Sequence, residues 1–299
     1  VKVLITGAKG MLGQDLVAAA DAVHHEVAAV DIDELDITNE RAVTRYMEQE
    51  MPAVVINAAA YTAVDAAETD EDKAFAVNAE GAEIVSSAAA EIGAKIIYFS
   101  TDYVFDGLKT EPYVESDETN PHSVYGKSKL AGELATADAN PRHLIARTSW
   151  LFGTAGKNFV ETMLAISDKQ NEVLVVRDQA GCPTYTRDLA TAIIQLIDYE
   201  TLGIMHLAGG EHCSWYDFAR EIFRQTQTDC NVLSGTSDML DRPAPRPPFS
   251  ALVTERGDAP KLPRWDHGLH SYLVERADRA EFETGGIESG ELATGETPS

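Results

Sequence analysis

The sequence predicts an α/β fold, a doubly wound parallel sheet with a smaller C-terminal lobe. Three observations predict it. Short β-type runs are apolar on both faces, helical stretches separate them, and a glycine-rich turn joins the first run to the first helix. Strands buried on both faces need helices on both sides, and crossover helices between parallel strands supply them.

Each element follows from its residues. Residues 2–6 are a short β run, and 12–20 after the turn have helical spacing. Residues 27–31 form a second strand ending in an acid. Residues 38–50 are helical, with Thr38 or Asn39 as the N-cap. Residues 54–57 are a third strand, 70–92 one long alanine-rich helix, and 95–100 a fourth strand. A helix over 123–138 and a fifth strand over 143–147 complete the regular alternation. Further helices are expected at 158–168, 186–198 and 214–226, joined by glycine- and proline-rich pieces. Residues 242–248, Arg-Pro-Ala-Pro-Arg-Pro-Pro, fit neither a helix nor a central strand.

Composition narrows the function classes. The 299 residues are 44% hydrophobic, enough for a sizeable core. No apolar run reaches the roughly 18 residues of a membrane span. The start, Val1 to Gly7, reads directly as strand and turn, so no leader is expected before the fold. Cys182, Cys213 and Cys230 are odd in number and far apart, which predicts no disulfide framework and a reducing, cytoplasmic setting. Asp and Glu total 49 against 24 Lys and Arg, a net charge of −25. Such a surface repels nucleic acid and anionic membranes. Adaptation to high salt, a halophilic setting where screening removes much of the self-repulsion, is one reading; an ordinary acidic enzyme is the other.

The chemistry begins at the turn. Gly7, Gly10 and Gly13, in the order Gly-x-x-Gly-x-x-Gly, lie between the first strand and the first helix. Gly7 permits the tight turn, Gly10 lets backbone approach a pyrophosphate, and Gly13 lets helix and strand pack closely. The anion then meets the free N–H groups of a helix N-terminus, with Lys9, Met11 and Leu12 beside it. Asp31 closes the second strand, where a carboxylate binds the adenosine ribose. A carboxylate there repels a 2′-phosphate, and no Lys or Arg lies in 27–37, so NADH is the expected cofactor; Lys9 leaves NADPH open.

Tyr125 and Lys129, at i and i+4, project from one helix face. An ammonium beside a phenol lowers its pKa, and the phenol can then protonate a carbonyl oxygen as hydride reaches the carbon. Thr101, at the end of the fourth strand, offers a hydroxyl to the same oxygen. His24, His25 and His212 lack metal-ligand spacing, and no metal site is assigned.

The glycine spacing and Tyr125-Gly-Lys-Ser-Lys129 resemble the extended short-chain dehydrogenase/reductase family, whose fold is Rossmann-like. Further segments resemble one branch of it, the dTDP-4-dehydrorhamnose reductases. These are Asn57-Ala-Ala-Ala-Tyr61-Thr-Ala-Val-Asp65-Ala-Ala-Glu68, Ser100-Thr101-Asp102-Tyr103-Val-Phe-Asp-Gly107, Arg147-Thr-Ser-Trp150-Leu-Phe-Gly153, Asp178-Gln-Ala-Gly-Cys-Pro-Thr184, and Arg246-Pro247 with Ser250 and Leu252. The resemblance runs from residue 3 to about residue 275.

The resemblance implies hydride transfer from NADH or NADPH to C4 of dTDP-4-dehydro-L-rhamnose. Tyr125 would protonate the forming alkoxide, Lys129 would hold the nicotinamide ribose, and Thr101 would bind the C4 oxygen with Asp102 as a helper. Asn57, Ala58, Ala59 and Tyr61 would line the cofactor. Trp150 would pack on the substrate or in the core, and Arg246 would meet nucleotide phosphate or stand in solvent. Asn78 would contact the nicotinamide ribose or support the strand. Some members use a divalent ion such as Mg2+ at a dimer interface, with no ligands assignable here. Members that pair through helices leave a homodimer open. The implied layout is a dinucleotide-binding domain over 1–150, to which parts of 178–210 return, a substrate-binding lobe over 151–177 and 211–275, and an acidic, disordered tail over 276–299.

Related dehydratases carry Thr-Asp-Glu at the fourth strand's end, whereas this chain has Thr101-Asp102-Tyr103 and lacks the second acid. A nucleotide-sugar epimerase shares the Tyr and Lys, and a regulatory subunit resembling that of methionine adenosyltransferase keeps the fold without the reaction. Retention of Thr101, Tyr125 and Lys129 together favours an enzyme.

Overall fold

The structure is a computed structural model that describes residues 1–288, with side chains through Arg279. In chain order the first part comprises β1 (Lys2–Thr6), α1 (Met11–Ala22), β2 (Glu26–Val30), α2 (Glu40–Glu50), β3 (Val54–Asn57), α3 (Val64–Ala67), α4 (Glu71–Phe75), α5 (Gly81–Glu91), β4 (Lys95–Thr101), α6 (Val124–Ala139) and β5 (His143–Thr148). The second part comprises β6 (Leu151–Phe152), α7 (Phe159–Ser167), β7 (Glu172–Val176), β8 (Ala180–Gly181), β9 (Thr184–Tyr185), α8 (Thr186–Gln195), β10 (Gly203–His206), β11 (Cys213–Ser214), α9 (Trp215–Thr226), β12 (Asn231–Gly235) and α10 (Trp265–Glu288).

Six strands pair in parallel in the order β2-β1-β3-β4-β5-β10. The order turns back at β1, which has β2 on one side and β3 on the other. That is where a doubly wound sheet opens a crevice at its carboxyl ends. All four residues of β3 and all seven of β4 are buried, which explains their unbroken apolar reading. One face is covered by α1 and α8 through Leu12, Leu16, Leu189 and Ile193; the other by α2 and α5 through Val43, Met47 and Val85.

A second core gathers Phe152, Val160, Met163, Tyr185, Phe218, Ile222, Leu269 and Tyr272. Its strands are short pairs: β6 with β9, β7 with β12 and β8 with β11. Between its two halves the chain returns to the sheet, laying α8 on α1 and adding β10 beside β5.

Two expectations differ from the structure. The single helix expected over 70–92 is α4, then a π-helical turn over Ala76–Glu80, then α5. The wider turn carries Asn78, whose amide donates to Tyr61 O and Ser128 Oγ, both at 3.0 Å, and whose Oδ1 accepts from Tyr61 N at 2.8 Å. These bonds stabilise a turn that alanine periodicity alone does not specify. The second difference is the disordered tail expected from Arg276: that stretch continues α10 as far as Glu288. Arg276 pairs with Glu161 at 2.6 Å and Arg279 with Glu275 at 2.9 Å, contacts that low local hydrophobicity does not reveal. Residues 289–299 of that expectation lie outside the described residues.

The tightest approach in the main layer is at Gly132 of α6. A Cβ there would lie 2.0 Å from Asn78 O and 2.3 Å from the Tyr98 hydroxyl. Gly132→Ala should therefore push α6 off the sheet and cost roughly 1–3 kcal/mol or more. A denaturant midpoint equal to that of the wild type would refute this contact.

Candidate active site

The glycine turn has the shape a dinucleotide needs. Gly7 has φ +67°, and a Cβ on it would strike the Ala58 and Ala59 backbone at 2.6–2.8 Å. A Cβ on Gly13 would fall 2.1 Å from Gly7 O. Gly10 differs. Its added Cβ would meet only Gly7 O, at 3.1 Å, so the turn is open in front of it. Gly10 is also the N-cap of α1 and makes no side-chain cap, leaving the helix N-terminus to an anion. At the end of β3, Asn57 accepts from Thr6 Oγ1 at 2.8 Å, while its buried Nδ2 has no partner. An open glycine cradle and an unspent buried donor at adjoining strand ends fit a dinucleotide cofactor.

Asp31 sits where the ribose carboxylate is expected. Its Oδ2 accepts from Lys9 N and its Oδ1 from Ile32 N, both at 2.8 Å, so it bridges the glycine turn and the end of β2. The Lys9 ammonium is turned away: it pairs with Glu34 at 2.7 Å and Asp33 at 3.2 Å. The charge by this turn is therefore mostly negative. Met11 and Leu12 begin α1, with Leu12 buried.

Helix α6 presents Tyr125, Lys129 and Glu133 at successive i+4 positions. Ser123 caps it by accepting from Gly126 N at 3.0 Å, and Glu68 of the α3 region accepts from Val124 N at 2.9 Å. The Lys129 ammonium lies 4.1 Å from the centre of the Tyr98 ring. Burial drives it down to about 7, and the Glu133 carboxylate one turn below holds it up in part. Glu133 is itself clamped by Arg147 of β5 through two bonds of 2.8 and 2.7 Å, both side chains being 3% exposed.

Thr101 ends β4 and Asp102 follows it in a 3-10 turn. The Thr101 and Asp102 side chains are 3.1 Å apart, and the Ser250 hydroxyl bonds the other Asp102 oxygen. Burial raises the Asp102 carboxyl to about 7 against the pull of Ser250 and Thr101. Burial also pushes the Tyr125 phenol up to about 12; the Thr101 hydroxyl beside it acts downwards and Asp102 upwards. This corrects the expectation that Lys129 lowers the phenol. Dehydration dominates at the phenol, and the side chains that act on it are Thr101 and Asp102. The consequence is useful, because Tyr125 keeps its proton at neutral pH.

Thr101, Asp102 and Tyr125 thus share one site, with Lys129 a turn further along α6. Tyr61 lies beside the turn, its backbone gripped by Asn78 and its hydroxyl 3.2 Å from Asp70. The Asn78 side chain thus holds the loop after β3, where contact with the nicotinamide ribose or support of the strand was expected. Trp150 has φ +47° and stacks on Trp215 at 3.5 Å between ring centres, inside the aromatic layer of the lobe. Arg246 does not stand in solvent. Its fork closes on Asp65 through bonds of 2.9 and 2.7 Å. Among the described residues no group of three or more His, Cys, Asp or Glu is gathered to hold a metal ion. The Glu133–Arg147 clamp and the part played by Ser250 were not read from the sequence. An arginine inside an otherwise apolar strand was the available signal for the first.

Comparisons with known proteins agree with this geometry. The RmlD substrate binding domain family matches residues 1–277. The spore coat polysaccharide biosynthesis protein SpsK of Bacillus subtilis is 40% identical over 284 residues, covering 92% of this chain and 98% of that protein. A crystal structure of a dTDP-4-dehydrorhamnose reductase from Clostridium acetobutylicum is 43% identical with a TM-score of 0.90, covering 92% of this chain and 99% of that one. The Bacillus anthracis dTDP-4-dehydrorhamnose reductase, solved in complex with NADP, is 38% identical with a TM-score of 0.90 and the same coverage.

The lowered Lys129 ammonium has a stability signature. Between about pH 7 and its usual 10.5 the folded chain has released a proton that the unfolded chain keeps. The cost of burying the charge is therefore full below pH 7 and shrinks as pH rises towards 10.5. Lys129→Met should raise the melting temperature, and more at about pH 6 than at about pH 9. Equal gains at both, or a loss at the lower pH, would contradict it.

Proposed function

The chain belongs to the RmlD substrate binding domain family, and on that premise we propose that it is a nicotinamide-dependent reductase of the C4 keto group of dTDP-4-dehydro-L-rhamnose, giving dTDP-L-rhamnose. The observation that carries the reading is the meeting of Thr101, at the carboxyl end of β4, with Tyr125 of α6, Lys129 following one helical turn on, in a chain whose glycine turn after β1 stays open at Gly10.

The reduced nicotinamide supplies the hydride. Gly7, Gly10 and the N-terminus of α1 would hold its pyrophosphate, Asp31 its adenosine ribose, and Lys129 its nicotinamide ribose. Ala58, Ala59 and Tyr61, in the loop after β3, would line it. Tyr125 gives its proton to the C4 oxygen as negative charge develops there. The Thr101 hydroxyl donates to the same oxygen, and Lys129 steadies the phenolate left behind. Arg246 is the candidate for the nucleotide diphosphate, which would have to take the fork from Asp65. Trp150, stacked on Trp215 of the lobe of 151–177 and 211–275, would flank the sugar.

NADH is the preferred cofactor on this reading. Asp31, Asp33 and Glu34 surround the place a 2′-phosphate would occupy, and Lys9 is already paired with two of them. The three cysteines are free thiols, which supports a cytoplasmic setting, and the charge of −25 supports a salt-rich one. No described helix is long and apolar enough to cross a membrane. A homodimer, as helix-paired members of the family form, and a requirement for Mg2+ remain proposals from the resemblance alone.

Purified protein given NADH and the keto-sugar nucleotide should oxidise the cofactor, and Tyr125→Phe should lower that rate by on the order of 10²–10⁴. Equal slow oxidation by both proteins would reject the reductase, and an epimerised sugar with no net NADH oxidation would select an epimerase. Asp31→Ser should shift the NADPH to NADH preference by about tenfold towards NADPH. An unchanged ratio of kcat/KM values would remove Asp31 from the ribose site.

A further inference from the structure

We propose that Asp102 is a positioning residue: its neutral carboxyl donates to Thr101 and so turns the Thr101 hydroxyl outward, to donate to the keto oxygen of the substrate. The inference rests on the reductase reading above and deepens it.

The argument is a count of protons. A threonine hydroxyl has one hydrogen to give and two lone pairs to fill. One lone pair of Thr101 Oγ1 is taken by Tyr103 N–H at 3.2 Å. Its other partners inside the protein are the Tyr125 phenol, which in the reaction turns to the substrate oxygen, and Asp102 Oδ1, at 3.1 Å. If Asp102 is ionised it can only accept, so Thr101 must spend its hydrogen on the carboxylate. Nothing is then left for a substrate oxygen. If Asp102 carries a proton on Oδ1, it donates to the second lone pair of Thr101. The hydroxyl is then saturated as an acceptor and its hydrogen is free to point outward. Thr101 assists reduction only in this second arrangement.

Ser250 selects the oxygen that bears the proton. Its hydroxyl bonds Asp102 Oδ2. With Ser250 donating there, the acid hydrogen belongs on Oδ1, facing Thr101. Ser250 is 1% exposed and fixed by its own backbone, whose N–H donates to Ala180 O at 2.8 Å. The C-terminal segment therefore reaches the site through a hydroxyl.

The surroundings favour the neutral acid. Asp102 is 2% exposed, and the groups bonded to it are two hydroxyls and its own backbone. The titratable groups that face it are the Tyr125 phenol from α6, the Tyr103 phenol from its own turn and the Cys182 thiol from the loop after β8. None of these is a cation. The nearby Arg246 guanidinium acts on Tyr103 and is tied to Asp65. A buried carboxylate without a cation is costly, and burial accordingly raises this one to about 7. The outward donor is present below that pH and lost above it.

Asp102→Asn tests the idea, because an amide keeps a donor for Thr101 and an acceptor for Ser250 but does not ionise. The quantity to compare is the ratio of kcat at about pH 6 to kcat at about pH 9. Loss of one donor to a developing oxyanion costs on the order of 10²–10³ in kcat. The wild-type ratio should therefore exceed the Asp102→Asn ratio by about tenfold or more, the limb that remains being that of Lys129. Ser250→Ala should keep the alkaline limb and lower kcat at about pH 6 without a matching change in KM. Infrared difference spectra of the ligand-free protein at about pH 6 should show a buried carboxylic-acid band that Asp102→Asn lacks. Equal pH ratios in wild type and Asp102→Asn, or absence of that band, overturn the proposal. A wild type that shows the band yet never oxidises NADH with the sugar overturns the reductase reading, and the outward donor with it. That result is distinct from an active enzyme with equal ratios.

Discussion

The site depends on how closely α6 lies against the sheet. At Gly132 the helix backbone comes so near Asn78 O and the Tyr98 hydroxyl that no side chain fits. That contact strips water from the inner face of the helix, where Lys129 and Glu133 stand and against which Tyr125 is packed. A lysine in this position cannot stay fully hydrated, so its ammonium rests on the Tyr98 ring and is weakened as a cation. Glu133 cannot stay hydrated either, and Arg147 completes it with a bidentate pair. The ion pair beneath and the aromatic ring beside Lys129 are consequences of one close approach between a helix and a strand.

The same dehydration sorts the polar groups into two kinds. Some have a partner of opposite charge at contact distance, as Glu133 and Arg147 have in each other. Groups with only neutral partners drift towards their uncharged forms, as Asp102 and Tyr125 do. A chain with a net charge of −25 thus keeps a reaction centre with little charge of its own. This matters for an anionic nucleotide, which meets the acidic exterior first. Positive features available to it include the N-terminus of α1 and the Arg246 guanidinium, and that arginine is held by Asp65.

Much of the main sheet was legible because its signals are local. β3 and β4 are short apolar runs, and Asn39, one of the two caps expected, starts the helix between β2 and β3. The glycine turn, Asp31 and the spacing of Tyr125 and Lys129 are likewise written in contiguous residues. What escaped depends on distant partners. The two-residue strands β6, β8, β9 and β11 are too short to have a period, and exist because the lobe brings them together. The π turn at Ala76–Glu80 is held by a loop 17 residues away, and the end of α10 by Glu161, more than 100 residues before it. The electrostatic reading of Tyr125 failed for a related reason: spacing reports that a lysine is near, but not how much water remains around it.

The return of the chain to the sheet through α8 and β10 also bears on how the molecule is made. Synthesis proceeds from the N-terminus, and β10 ends at His206. Until that point has left the ribosome, β5 is an open edge and the outer face of α1, which packs on α8, is uncovered. The first 150 residues contain the glycine turn and Asp31 but not the whole of the layer that supports them. The lobe that begins at β6 is therefore threaded into the main domain rather than appended to it. The nascent chain must hold an unfinished sheet while more than 50 further residues emerge. A fold with one catalytic centre and two cores is in this respect a single unit of assembly.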